Sequence, residues 1–101
     1  MNIVFDAELW VWDARRADTW TFVSLPAGVS DEIRDLTEPT RRGFGSVRVR
    51  AGIGASTWTT SIFPDSARGH YVLPVKRAIR SAESLGEGDT ATVTLELLDT
   101  G

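Results

Sequence analysis

Twice in this chain a short apolar strand runs through Leu-Pro into a helical segment and then returns to a strand. Trp20-Thr-Phe-Val-Ser-Leu-Pro26 leads into a helix predicted to end near Leu36, and Gly69-His-Tyr-Val-Leu-Pro74 into one predicted to end near Leu85. A total of 101 residues leaves room for a single domain, near the usual size. Two related halves of this kind close naturally on each other, because a closed barrel leaves no sheet edge unpaired. The expectation is therefore one mainly β domain over residues 1–101. It is a small closed barrel of about six strands with two short helices, in the order β-β-α-β-β-β-α-β.

The strands follow from alternation. Ile3, Phe5, Ala7, Leu9 and Val11 share one face of a strand from Ile3 to Trp12, with Asp6, Glu8, Trp10 and Trp12 on the other. The polar run Asp13 to Asp18 makes a turn before a second strand, Thr19 to Leu25. Ser30 reads as the N-cap of the first helix, with Asp31 and Glu32 in its first turn, where the helix dipole favours carboxylates. Val29, Ile33 and Leu36 share its apolar face, and Pro39 with Arg41-Arg-Gly43 ends it.

A third strand from Gly45 to Ile53 points Val47, Val49 and Ala51 inward and Ser46, Arg48 and Arg50 outward. Gly52 and Gly54 flank a tight connection to a fourth, Ser56 to Phe63, in which Trp58, Thr60 and Ile62 face one way. Pro64 to Gly69 is a loop, and His70 to Leu73 a short fifth strand. Pro74 then fits the first position of the second helix, where its missing N–H costs nothing. Val75, Ala78, Ile79 and Ala82 form that helix's apolar stripe. After the turn Glu87-Gly88-Asp89, the last strand turns Ala91, Val93, Leu95 and Leu97 inward. The core is expected around Val47, Val49, Trp58, Ile62, Val93 and Leu95.

Composition narrows the chemistry. The chain has no cysteine, which removes disulfides, thiolate catalysis and cysteine-ligated metals, and makes the reducing cytoplasm the expected compartment. Met1 to Asp6 has no basic region ahead of an apolar run, so no signal peptide is expected, and no apolar run approaches membrane-spanning length. A net charge of −3 argues against a membrane surface or a nucleic acid as partner. His70 is the only histidine, so no histidine-based metal site is expected and no cofactor is called for. Ser61 and Ser66 can in principle meet His70, but no spacing requires it. No catalytic residue is assigned, and the chain reads as a protein without enzymatic activity. Asp6 and Glu8 share a strand face, as outward charges on a barrel strand commonly do.

The polar face of the second helix holds the most distinctive constellation. Lys76 and Arg77 fall in its first turn, at the positive end of the dipole, and Lys76 and Arg80 are like charges four residues apart. A sequence that accepts both penalties can use Lys76, Arg77 and Arg80 to hold an anion such as a phosphate or carboxylate. The competing explanation pairs them with Asp6, Glu8 or Glu96 on a neighbouring strand. Arg41, Arg42, Arg48 and Arg50 can extend a basic surface. Of four tryptophans, Trp58 belongs with the core, while Trp10 and Trp12 are either covered by a helix or form an interaction surface.

The segments Gly43-Phe-Gly-Ser-Val-Arg-Val-Arg50, Ser56-Thr-Trp-Thr-Thr-Ser-Ile-Phe-Pro64, Leu73-Pro-Val-Lys-Arg-Ala-Ile-Arg80 and Gly88-Asp89 together resemble an uncharacterised bacterial family. Its members are small β-barrel domains of unknown function, found alone or beside a YdeI/OmpD-associated (bacteriocin-protection-like) segment. The resemblance implies a closed barrel and transfers no catalytic or binding residue. The Leu-Pro, helix, Gly-Asp, strand order also resembles swapped-hairpin transcription factors and double-psi barrels. The expected function is non-catalytic binding of a small anionic or amphipathic ligand at the barrel mouth or beside the second helix. The alternative is a protein-interaction or homodimerisation domain working through its aromatic face. Nucleic-acid binding of swapped-hairpin type is disfavoured by the acidic balance.

Overall fold

A computed structural model describes residues 2–12, 20–37, 45–65 and 69–98 of the chain. The elements are β1 (Asn2–Trp12), β2 (Trp20–Ser24), α1 (Ala27–Thr37), β3 (Val47–Ile53), β4 (Ser56–Asp65), β5 (His70–Pro74), α2 (Arg77–Ala82) and β6 (Thr90–Leu97). The six strands form a closed antiparallel barrel in the order β1-β2-β5-β4-β3-β6, and the order of elements is the one the sequence predicts. The turn at Asp13 to Asp18, the stop signals at Pro39 and Arg41 to Gly43, Arg41 and Arg42 themselves, Ser66, and the side chains of Trp12 and Leu36 lie outside the described residues.

Closure depends on two long strands that each change partner along their length. β1 pairs with β6 over Asn2 to Glu8 and with β2 over Leu9 to Trp12. β4 pairs with β3 over Ser56 to Ile62 and with β5 over Phe63 to Asp65. Exchanging β1, β2 and β3 for β4, β5 and β6 leaves the set of pairings unchanged, so the barrel consists of two topologically equivalent halves. The β2–β5 register centres on Val23 opposite Leu73, which makes Thr21 equivalent to Tyr71 and Leu25 to Val75. The bonds closing that ladder agree: Leu25 N–H donates to the Tyr71 carbonyl at 2.9 Å, and Val75 N–H to the Thr21 carbonyl at 2.9 Å.

The two Leu-Pro motifs are therefore not equivalent to each other. Pro26 corresponds in register to Lys76, and Pro74 to Ser24. Pro74 closes β5 instead of opening the helix, because the chain stays extended through Lys76, whose φ is −71° and ψ 159°. The first helix likewise starts at Ala27, ahead of the expected N-cap at Ser30. Ser30 N–H already donates to the Pro26 carbonyl, and its buried hydroxyl accepts the Tyr71 N–H at 3.0 Å, tying α1 to β5. Asp31 and Glu32 consequently miss the first turn, and Asp31 accepts from Arg34 at 3.0 Å instead.

All six residues expected at the core are buried, at 7% exposure or less. Equivalent positions fill equivalent places: Leu9 and Ile62, Val23 and Leu73, and Phe5 with Trp58. Helix α2 contributes less than its sequence suggests. Ala78 and Ala82 are exposed, and Val75, Ile79 and Leu85 make the contact with the core.

The end of α2 is tightly built. Leu85 N–H donates to the Arg80 carbonyl at 2.8 Å and Ser84 N–H to that of Ser81 at 3.4 Å, a Schellman arrangement with Ser84 in the left-handed position at φ 56°. The Glu83 carboxylate accepts from Ser56 Oγ at 2.7 Å and lies against Gly54 in the two-residue β3–β4 turn. Two outcomes follow for chemical denaturation. Ser84→Gly should raise stability by roughly 1 kcal/mol, because glycine removes the left-handed penalty. Gly54→Ala should lower it by about 1–3 kcal/mol, because φ is +57° there and a Cβ would run into the Glu83 carboxylate.

Candidate functional site

A groove opens where β5 stops. Beyond Pro74, the start of β2 and the middle of β4 have no strand between them, and the connection into α2 crosses the gap. The resulting groove has a volume of about 820 Å³. Trp58, Thr21 and Thr60 line it from the barrel side, Trp20 from β2, and Lys76, Arg77 and Arg80 from the helix. Trp58 and Thr21 are buried there because the inward face of each strand supplies them.

The three cations of the second helix are thus brought together on one groove. Lys76 and Arg77 are exposed, and Arg80 is half-buried with its Nε donating to the Val75 carbonyl at 3.2 Å. Among the described residues none of the three forms an ion pair, and no carboxylate lines the groove. The carboxylates that might have neutralised them are engaged elsewhere or lie elsewhere. Glu96 accepts from Arg50 at 2.6 Å across β3 and β6, Asp6 accepts from the Thr92 hydroxyl at 2.6 Å, and Glu8 lines a different groove. The geometry expected from Pro74 is absent, since α2 has only six residues and starts at Arg77. What the fold presents is a groove lined by three cations and two indoles.

That different groove is the equivalent corner of the other half. Its volume is about 550 Å³, and Asp6, Glu8, Trp10, Ser24, Pro26, Ala27 and His70 contribute to it. By register His70 stands where Trp20 does, Pro26 where Lys76 does and Ala27 where Arg77 does. Asp6 matches Thr59 of the first groove. Ser30 matches Arg80, and both N–H groups donate to the carbonyl four residues back. The same corner of the barrel is therefore built once with three cations and once, among the described residues, with two carboxylates and no lysine or arginine.

Trp10 is half-buried. Its indole packs on Phe22 of β2 at 5.1 Å between ring centroids, and its Nε1 donates to Ser24 Oγ at 3.0 Å. Phe22 in turn stacks against Trp20 at 6.3 Å with 15° between planes. Trp12 pairs with Trp20 in the β1–β2 register. Trp20 is 55% exposed and was not singled out by the sequence reading. The signal was present in the alternation of β2, where Thr21, Val23 and Leu25 face inward and leave Trp20, Phe22 and Ser24 outside.

His70 shares its groove with Asp6 and Glu8 and lies opposite Asp65 in the β4–β5 register, carboxylate neighbours that sequence spacing did not reveal. Ser61 is four residues from Asp65 along β4, about 13 Å at strand rise, so it does not meet His70. Among the described residues no group of three or more histidine, aspartate or glutamate side chains could hold a metal. No helix among them is long and apolar enough to cross a membrane.

The chain belongs to the family described as Domain of unknown function (DUF1905), which matches residues 5–95 and so takes in both grooves. Comparison with curated proteins finds no match.

The two groove tryptophans should differ sharply in what they contribute to stability. Trp58→Ala, which empties a buried place in the barrel, should cost about 3–5 kcal/mol in urea unfolding. Trp20→Ser should cost under about 1 kcal/mol, since more than half of that residue is already in water. Similar losses for both would show that Trp20 is a core residue.

Proposed function

We propose that this member of the DUF1905 family is a non-catalytic binding module for a small anionic, amphipathic ligand, held in the groove between β2, β4 and α2. One observation carries the reading. Lys76, Arg77 and Arg80 converge on a groove that no carboxylate lines among the described residues, while the equivalent corner is built with Pro26, Ala27 and Ser30. The barrel does not require cations at these positions. They also run against a net charge of −3, so the basic character is local. The groove volume lies within the range of small-molecule sites.

A purely binding role accords with the groove's chemistry. Among the described residues its hydroxyls belong to Thr21, Thr59 and Thr60, and no histidine or carboxylate lines the groove with them to act as a base. The absence of cysteine suits a cytoplasmic setting. A second reading, self-association or docking of a partner protein, is favoured by a different observation: the row Trp10–Phe22–Trp20 ends in a largely exposed indole. Nucleic-acid binding of swapped-hairpin type has less support, because the overall charge is acidic.

Thermal denaturation in inorganic phosphate and in sulfate tests the anion reading. Occupancy at a hundredfold excess over the dissociation constant stabilises the fold by about 2.7 kcal/mol and raises Tm accordingly. The double variant Lys76→Gln, Arg77→Gln should lose that response and keep its stability in plain buffer, because neither side chain has an ion-pair partner among the described residues. If the double variant is destabilised in plain buffer and the wild type ignores both anions, the cations are structural and the reading fails.

A further inference from the structure

The cationic groove has an aromatic wall whose plane is already fixed. Trp20 borders the groove with 55% of its surface exposed, although tryptophan is on average among the better buried residues. It lies near-parallel to Phe22, which is itself propped by Trp10, so the indole is held by a stack and not left as a free rotor. A ligand ring stacking on it would meet a pre-ordered surface and forfeit little protein entropy. The same groove is lined by three cations, more positive charge than a single carboxylate matches and a suitable set for a phosphate monoester dianion with its three acceptor oxygens. Thr21 and Thr60 also line the groove and bring hydroxyls that can donate to or accept from a sugar or base. In the equivalent corner His70 stands at the position of Trp20, Trp10 supplies an indole from β1, and no lysine or arginine is among the described lining residues, so the cations are what distinguish the first groove.

Building on the anion reading, we infer that the groove takes a nucleoside monophosphate, with its base stacked on Trp20 and its phosphate held by Lys76 and Arg77, Arg80 adding charge from the flank. The groove's size supports a mononucleotide over a folded partner. A second copy of the chain seated on Trp20 would also cover the indole, and that is an outcome the experiment separates.

The test is titration of the chain with AMP, GMP, CMP and UMP, followed by tryptophan fluorescence and calorimetry, with ribose 5-phosphate as the ligand lacking a base. At least one nucleotide should quench the fluorescence and bind tenfold or more tightly than ribose 5-phosphate. Trp20→Leu should weaken that nucleotide tenfold or more and leave ribose 5-phosphate unchanged. Lys76→Gln with Arg77→Gln should weaken both. Ribose 5-phosphate binding as well as every nucleotide, with the charge variant still weakening both, would overturn the nucleotide inference and leave the anion reading standing. No response to nucleotides, ribose 5-phosphate or inorganic phosphate would remove both. Concentration-dependent dimerisation in sedimentation, abolished by Trp20→Leu and indifferent to nucleotides, would assign the indole to self-association and overturn the inference.

Discussion

The change of partner halfway along β1 and β4 is the constraint on which the rest of the molecule depends. A six-stranded sheet this small closes only if some strands serve both sides of the barrel, and these two do so by pairing over different halves of their length. Inward alternation then fills the interior, with Leu9 and Ile62 buried near the two points of exchange. The same device has a cost. Where a long strand has left one partner, the neighbouring short strand has already ended, and the sheet gapes. β2 and β5 are five residues each, too short to follow β1 and β4 back to their first residues. The grooves are the unavoidable corners of this closure, and the helical connections lie across them.

Because the barrel has two equivalent halves, it contains its own control experiment. Residues needed to close a corner ought to recur in both, and several do. The N–H at Leu25 and at Val75 caps the same ladder, and an apolar side chain occupies both places. Residues that occur at one corner only are free of that requirement. Lys76, Arg77, Arg80 and Trp20 fall in this class, as do Asp6, Glu8 and His70 on the other side. The two corners thus carry opposite charge on the same framework, and their chemistry separates from their architecture without appeal to any other protein.

Much of this was legible in the chain. Period-two alternation gave the inward faces of β1, β3 and β6, and the recurrence of strand, helix and strand pointed to two halves. The phase of that recurrence was not legible. Leu-Pro occurs in both halves, but Leu25 is the last inward residue before α1, whereas Leu73 sits at the centre of the β2–β5 ladder. Sequence similarity matched the words, while hydrogen-bond register matches the positions. Placing Pro74 in a helix followed from that slip. The cations of α2 could be picked out because they violate two local electrostatic preferences. Alternation places Trp20 outside on β2, but that it shares a groove with residues more than fifty positions away in sequence is a consequence of closure alone.

The electrostatic penalties on α2 are small against what holds it. Cations near a helix start cost about 0.3–1 kcal/mol each, and a like-charge pair a few tenths more. An isolated six-residue helix would not form at all, so its existence rests on tertiary contacts. Burial of Ile79 alone contributes about 1.5–3 kcal/mol, and Val75 is buried just ahead of it. At the other end, the Schellman closure and the Glu83–Ser56 bond fasten the helix to the β3–β4 turn. The anchoring is therefore concentrated at the C-terminal end and underneath, and Lys76, at the cap position, makes no side-chain capping bond. A helix secured in this way can tolerate unfavourable charge at its free end, and that end lines the same groove as Trp20.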